Sequence, residues 1–247
     1  MKKMMVLMLA AMTLLAAAAP ALALGPVDLD AELGVFSKYV WRGMIVTNDP
    51  VIQPALAANF LGIGLGFWGN IDSSDVNGTE WKFNEIDWDL SYSLPLPIVD
   101  LDFGFIYYTF PNTEVKDTVE GFISAKANVL LSPRLSFYGD FKEIDGTYWS
   151  LGITHGIEIS PTLNLDLSAD LGIGSANYVK GYFGTESDSA TDYALTAELP
   201  WKPVPLLTIT PSAAYTSLLG DAKEAVDVMT DIDTNTPVFG LTAAVNF

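Results

Sequence analysis

The sequence predicts an all-β fold, a single antiparallel up-and-down transmembrane β-barrel of about twelve strands. Three observations carry this prediction. Apolar and polar residues alternate through stretches long enough to cross a bilayer. Short proline-bearing joins alternate with long polar ones. Past residue 23 no apolar run is long enough for a spanning helix, so any crossing must be made by strands.

The chain opens MKKMMVLMLAAMTLLAAAAPALALG. Lys2 and Lys3 precede an uncharged apolar run, and Ala21-Leu22-Ala23 supplies a small-x-small cleavage site. Residues 1–23 read as a cleaved secretory signal peptide of bacterial type, and residues 24–247 as one barrel domain without a linker. With no cysteine, neither a lipid anchor through sulfur nor a disulfide is available. Thirty acids stand against 12 Lys and Arg, a formal charge of −18, yet 50% of residues are hydrophobic. A chain so acidic and so apolar must segregate the two kinds of surface. It also lacks the basic patch that a nucleic-acid backbone requires, so no nucleic-acid partner is expected.

The elements follow in order. Strand candidates span 27–43, 51–60, 62–72, 81–95, 99–110 and 119–131, then 134–142, 147–160, 162–176, 192–202, 206–218 and 237–247. Most reach the ~9–11 residues that a tilted crossing strand needs. In the fourth, Ile86, Trp88, Leu90 and Tyr92 alternate with Asp87, Asp89, Ser91 and Ser93. The fifth sets Leu101, Phe103, Phe105 and Tyr107 against Asp102, Gly104 and Tyr108. The ninth, LNLDLSADLGIG, sets leucines against Asn164, Asp166, Ser168 and Asp170, and the last alternates Phe239, Leu241, Ala243, Val245 and Phe247 with Gly240, Thr242, Ala244 and Asn246.

Joins at one end are short and nearly all contain proline: Leu61, Pro95-Leu96-Pro97, Ser132-Pro133, Ser160-Pro161 and Lys202-Pro203-Val204-Pro205. A proline suits a turn and cannot continue a ladder. The opposite joins are long and polar, and Asp221–Met229 inside one of them carries the only hint of helical periodicity. Short periplasmic turns opposite long outer loops are the layout of an outer-membrane barrel. The apolar faces then look to lipid and the acids to the lumen. Trp41, Trp81, Tyr107, Trp149 and Tyr193 fall near loop ends and Tyr92 and Trp201 near turn ends, as two aromatic girdles require. The expected location is the bacterial outer membrane after export through the periplasm, with lipid and lipopolysaccharide around the barrel. Phe247, ending the last strand on the lipid face, is the expected signal for the barrel assembly machinery.

The segments SKYVWRG (37–43), NDPVIQP, GLGFWGNID, NEIDWDLSYSL and FGFIYYTFPN, in this order, resemble the TorF-like family of proteobacterial outer-membrane porins. The resemblance runs from Ser37 to Tyr108 and weakens beyond. It implies an outer-membrane barrel and a pore, with no settled substrate and no catalytic residues to carry over.

Catalytic chemistry has little to stand on. His155 is the only histidine, which excludes sites with two His ligands. It has outward parity between Ile153 and Ile157 with no serine beside it, and no hydrolase, phosphate-loop or EF-hand motif occurs. No cofactor and no metal site is expected.

By parity the inward charges are Asp28, Asp30, Glu32, Lys38, Arg42, Asp87, Asp89, Asp102, Glu120, Lys126, Asp140, Lys142, Glu158, Asp166, Asp170 and Glu198. Asp28, Asp30, Asp102, Glu158, Asp166 and Glu198 make an acidic collar at the turn-side mouth, with no inward base mapped beside them. Lys38, Arg42 and Lys142 sit towards the loops. Arg42, next to a lipid-facing Trp41, is expected to pair with an internal acid such as Asp87 or Asp140, or else to meet an anionic solute. Asp72, Asp75, Glu80, Glu186, Asp188, Asp221, Glu224, Asp227, Asp231 and Asp233 make the loop face acidic. A solvated surface is expected there, with divalent-cation binding as the alternative. The leading function is passive passage of small solutes through a cation-leaning pore. The alternative is a non-conducting structural or surface-interaction barrel closed by internal salt bridges. An outer-membrane enzyme comes third.

Overall fold

The computed structural model describes residues 27–229 and 234–247. The expected signal peptide, apart from its place in the sequence, lies outside the described residues, as do Asp231 and Asp233. Twelve long strands close into an antiparallel barrel: β1 (Asp28–Phe36), β4 (Val51–Phe60), β5 (Ile63–Asp72), β6 (Phe83–Pro95), β7 (Val99–Thr109), β8 (Thr118–Ala127), β9 (Arg134–Asp140), β10 (Thr147–Ser160), β11 (Leu163–Gly174), β12 (Ser189–Glu198), β14 (Leu207–Leu218) and β15 (Asn235–Asn246). Neighbours in sequence are neighbours in the wall, and β1 pairs with both β4 and β15, so the sheet has no free edge. A short β13 (Trp201–Val204) prolongs the wall between β11 and β14. The up-and-down barrel and its strand number agree with the sequence expectation.

The wall is apolar outside and polar inside. Leu65, Trp88, Phe105, Ile153, Leu167 and Phe239 are large, apolar and exposed, whereas Asn70, Asp72, Glu85, Glu120, Ser136 and Asp140 are buried. Water would penalise so large an apolar exterior. In lipid it is the favourable side, and closing the sheet pairs wall N–H and C=O groups that an edge would leave bare. His155 sits exposed on this outer face, opposite Leu167 on β11.

The first predicted strand is the main correction. It does not run from 27 to 43: β1 ends at Phe36, and the chain folds into a separate hairpin of β2 (Tyr39–Trp41) and β3 (Met44–Thr47). Arg42 (φ 46°) and Gly43 (φ 78°) form its turn. Two consecutive positive φ values define the tight hairpin turn whose twist matches its strands, and glycine is preferred there. A Cβ on Gly43 would stand 2.5 Å from Asp192 Cβ and 2.8 Å from Leu218 Cδ2, so the residue is fixed by close approach as well as by φ.

Two helices fill the loop end. The α1 helix (Ala176–Phe183) begins at Ser175, whose side chain accepts from the Tyr178 N–H, and stops at Gly184 in the left-handed region. The α2 helix (Gly220–Met229) covers the segment with hinted periodicity. Tyr178, Val179 and Phe183 of α1 pack with Tyr148, Leu218 and Ala222, and Trp41, Met44, Tyr138 and Tyr182 complete the cluster. Trp41 is therefore not a lipid-facing girdle residue. Its ring lies 5.0 Å from that of Tyr182 and 6.4 Å from those of Tyr108 and Tyr178. Trp149, Tyr92 and Trp201 do lie exposed on the wall.

Asp72 also departs from its expected place on a solvated loop surface. It is fully buried, and its carboxylate accepts from Thr47 Oγ1 and Asn70 Nδ2 at one oxygen and from Asn77 Nδ2, Thr79 Oγ1 and Asn84 Nδ2 at the other. One carboxylate thereby ties the hairpin base, β5, the 73–82 loop and β6 together.

Candidate functional site

The β2–β3 hairpin leaves β1 and crosses the lumen. The strand facing β1 across a ring of twelve is β9, six steps away in the wall order. Arg42 reaches that far side: its guanidinium lies 4.6 Å from the ring of Tyr138 on β9 and 4.3 Å from that of Tyr148 on β10. Trp41 stacks on it at 4.4 Å, with Tyr178 at 5.8 Å. Inside this aromatic cage the guanidinium donates to both oxygens of Glu120 on β8, at 2.9 and 2.7 Å. Tyr108 donates to the same carboxylate. Glu120 is buried and Arg42 is nearly so, and the fork between them is a charge-assisted bond inside this aromatic box. Burial holds the Tyr178 and Tyr182 phenols protonated well above neutral pH.

The expected partners of Arg42 were Asp87 and Asp140, and neither is used. Asp140 accepts from Thr118 Oγ1 at 2.6 Å and from the backbone N–H groups of Lys142, Glu143 and Ile144, so it closes the turn after β9. The turn also removes Lys142 from the lumen. β9 ends at Asp140, and the exposed Lys142 ammonium sits 5.7 Å from the outward ring of Tyr107.

Strand register puts the other candidates on the inner face: Asp87 and Asp89 on β6, Asp102 on β7, Lys126 on β8, Glu158 on β10, Asp166 and Asp170 on β11, and Glu198 on β12. Asp166 faces Glu198 directly across two strands. Lys38, at the hairpin root, donates to Thr236 Oγ1 at 2.9 Å.

Besides Asp72, four inward charges were missed by sequence reasoning: Glu85, Asp100, Arg134 and Asp192. Each shares parity with a residue that was assigned inward on the same strand, so the signal was present. Arg134 alters the picture of the collar. It pairs with Asp170 at 2.7 Å and faces Lys126 across β8 and β9, while Lys126 faces Asp100. Bases therefore do reach the inner face near the short turn before β9. Lys126 and Arg134 are still the only inward bases on the described long strands.

Beneath the hairpin lies a luminal chamber of about 620 Å³, bordered by Lys38, Tyr39, Arg42, Trp68, Asp87 and Asp192 among others. Among the described residues no group of three or more His, Cys, Asp or Glu side chains is arranged to hold a metal ion.

A closed antiparallel barrel with twelve long strands, an apolar exterior and a hairpin folded into an acidic lumen has the fold seen in outer-membrane porins. Solved structures agree on the fold. The KdgM porin matches with a TM-score of 0.55 at 12% identity, over 89% of this chain and 99% of that one. A second KdgM structure, in complex with a disordered oligogalacturonate, matches equally well. The NanC porin matches with a TM-score of 0.54 at 9% identity, over 88% of this chain and 98% of that one. In sequence, residues 20–136 match a family described as a bacterial protein of unknown function, Gcw_chp. No curated protein matches the chain. The stretch that resembles the TorF-like porins, 37–108, falls inside the family match.

Proposed function

We propose that the mature chain, exported by its signal peptide, is an outer-membrane porin of the TorF-like kind that passes small solutes with a preference for cations. The carrying observation is the lumen, where acids on nine of the twelve long strands outnumber four bases, Lys38 and Arg42 from the hairpin and Lys126 and Arg134 from the wall, with Arg42 and Arg134 already paired. A ring of fixed carboxylates raises the local cation concentration and lowers that of anions. The likeness to KdgM and NanC supports the barrel and leaves the solute open. An acid-lined lumen is a poor match for a polyanion such as the oligogalacturonate in the KdgM complex.

The hairpin gives this pore a constriction. It roofs the 620 Å³ chamber and crosses at the level of the Arg42–Glu120 pair. The same crossing favours the second reading, a non-conducting barrel, because α1, α2 and the hairpin pack as one apolar cluster at the loop end. Single-channel recording of the refolded mature chain in a planar bilayer separates the two. Discrete conductance steps support the porin, and a silent bilayer with correctly folded protein supports the closed barrel.

A further inference from the structure

We propose that the chamber beneath the β2–β3 hairpin binds a small organic cation, with the Asp87 carboxylate as its counter-charge and Trp68, Tyr39 and Tyr108 as its aromatic walls. This deepens the porin reading and rests on it for access to the lumen.

Register builds the site. Asp87 on β6 lies directly between Trp68 on β5 and Tyr108 on β7. Tyr39, brought in by the hairpin, sets its ring 5.4 Å from that of Trp68. Three rings and one carboxylate thus share one wall of the 620 Å³ chamber, a volume in the usual range for small-molecule sites.

The charge pairing decides the sign of the ligand. Arg42 is held by Glu120 and Arg134 by Asp170, Lys38 donates to the neutral Thr236 hydroxyl, and Asp192 accepts from Tyr148 and Thr191. Asp87 is the exception: its Oδ1 is shut off from solvent and receives no hydrogen bond. A secluded carboxylate oxygen without a donor is costly, and Glu85 and Asp89 on the same inner face add like charge. An arriving cation supplies the opposite charge that this carboxylate lacks among its neighbours. An arriving anion would find both arginines already held by acids and only the Lys38 ammonium without one.

The rings decide the kind of cation. Aromatic faces attract weakly hydrated ammonium groups, which shed their water readily. Hard metal ions need several oxygen ligands to replace their hydration shell. One carboxylate among three rings suits the former.

The test is isothermal titration of the refolded mature chain with choline chloride at constant ionic strength, with sodium chloride and sodium acetate as comparisons. Choline should bind saturably and be displaced by tetramethylammonium but not by sodium. Asp87→Asn should weaken binding at least tenfold, and Trp68→Leu should weaken it more than Trp68→Phe. Choline no tighter than sodium, acetate tighter than choline, or unchanged affinity in folded Asp87→Asn would each overturn the site. The parent competition decides the matter even if a variant does not fold. A parent that conducts in a bilayer yet fails to bind choline removes the cation site and leaves the porin. A parent that binds choline through Asp87 yet never conducts removes the porin and keeps the site.

Discussion

Arg42, at the tip of a hairpin rooted in β1, holds both carboxylate oxygens of Glu120 on β8, at 2.9 and 2.7 Å. This fork is the one ion pair that ties the inner hairpin to the far half of the wall among the described residues. Removing one partner strands the other charge in the box. Arg42→Met and Glu120→Gln should each cost about 3–5 kcal/mol of stability, and the double variant should cost less than their sum. Reversible urea unfolding in detergent measures the coupling. Additive losses would show that the pair does not hold the hairpin.

Gly43 is the backbone counterpart of that latch. Alanine there meets both a positive φ and the side chains of Asp192 and Leu218. Gly43→Ala should therefore destabilise by more than the ~1 kcal/mol of a compatible glycine site, and it should raise single-channel conductance by loosening the constriction. Unchanged stability and conductance would place the hairpin tip elsewhere.

The orientation of the wall has its own test. Leu167 is exposed on the outer face, and Ser168 beside it faces inward. Leu167→Arg should cost ~2–4 kcal/mol, and Ser168→Arg distinctly less. A reversible refolding assay compares them directly, and equal or reversed penalties would invert the barrel's faces.

What the sequence made legible was what a periodic wall repeats. Alternation in 163–174 and 237–247, together with proline joins such as Ser132-Pro133, sufficed for strand number, direction and facing. What it hid was where the chain leaves the wall. Tyr39 to Thr47 keeps strand-like composition inside the lumen, so β1 and the hairpin read as one strand, and Arg42 was matched to wall acids by parity alone. The Arg42-Gly43 pair was the available turn signal. Ser175 and Gly184 likewise bracket α1 with cap residues, but its aromatic-rich body, ANYVKGYF, reads as loop. Arg134 and Asp192 were readable from parity and went unread. Asp72 was not, since its burial depends on donors from four separate segments.

Phe247 bears on assembly. Its N–H donates to Leu29 O at 2.9 Å, where the last strand meets the first. Deleting it should lower the folded fraction in the outer membrane of cells while leaving refolding in detergent largely intact. Normal assembly in cells would remove the terminal aromatic as a recognition signal.

The central claim is an acid-lined path that favours cations, and the reversal potential across a salt gradient in a planar bilayer tests it most directly. The parent should be cation-selective at low salt. The preference should fade as salt rises, because the Debye length is already only ~10 Å at 0.1 M. Replacing Asp102, Asp166 and Glu198 by their amides should reduce the preference without closing the pore. An anion-selective parent, or a folded parent with no conductance, would contradict the account.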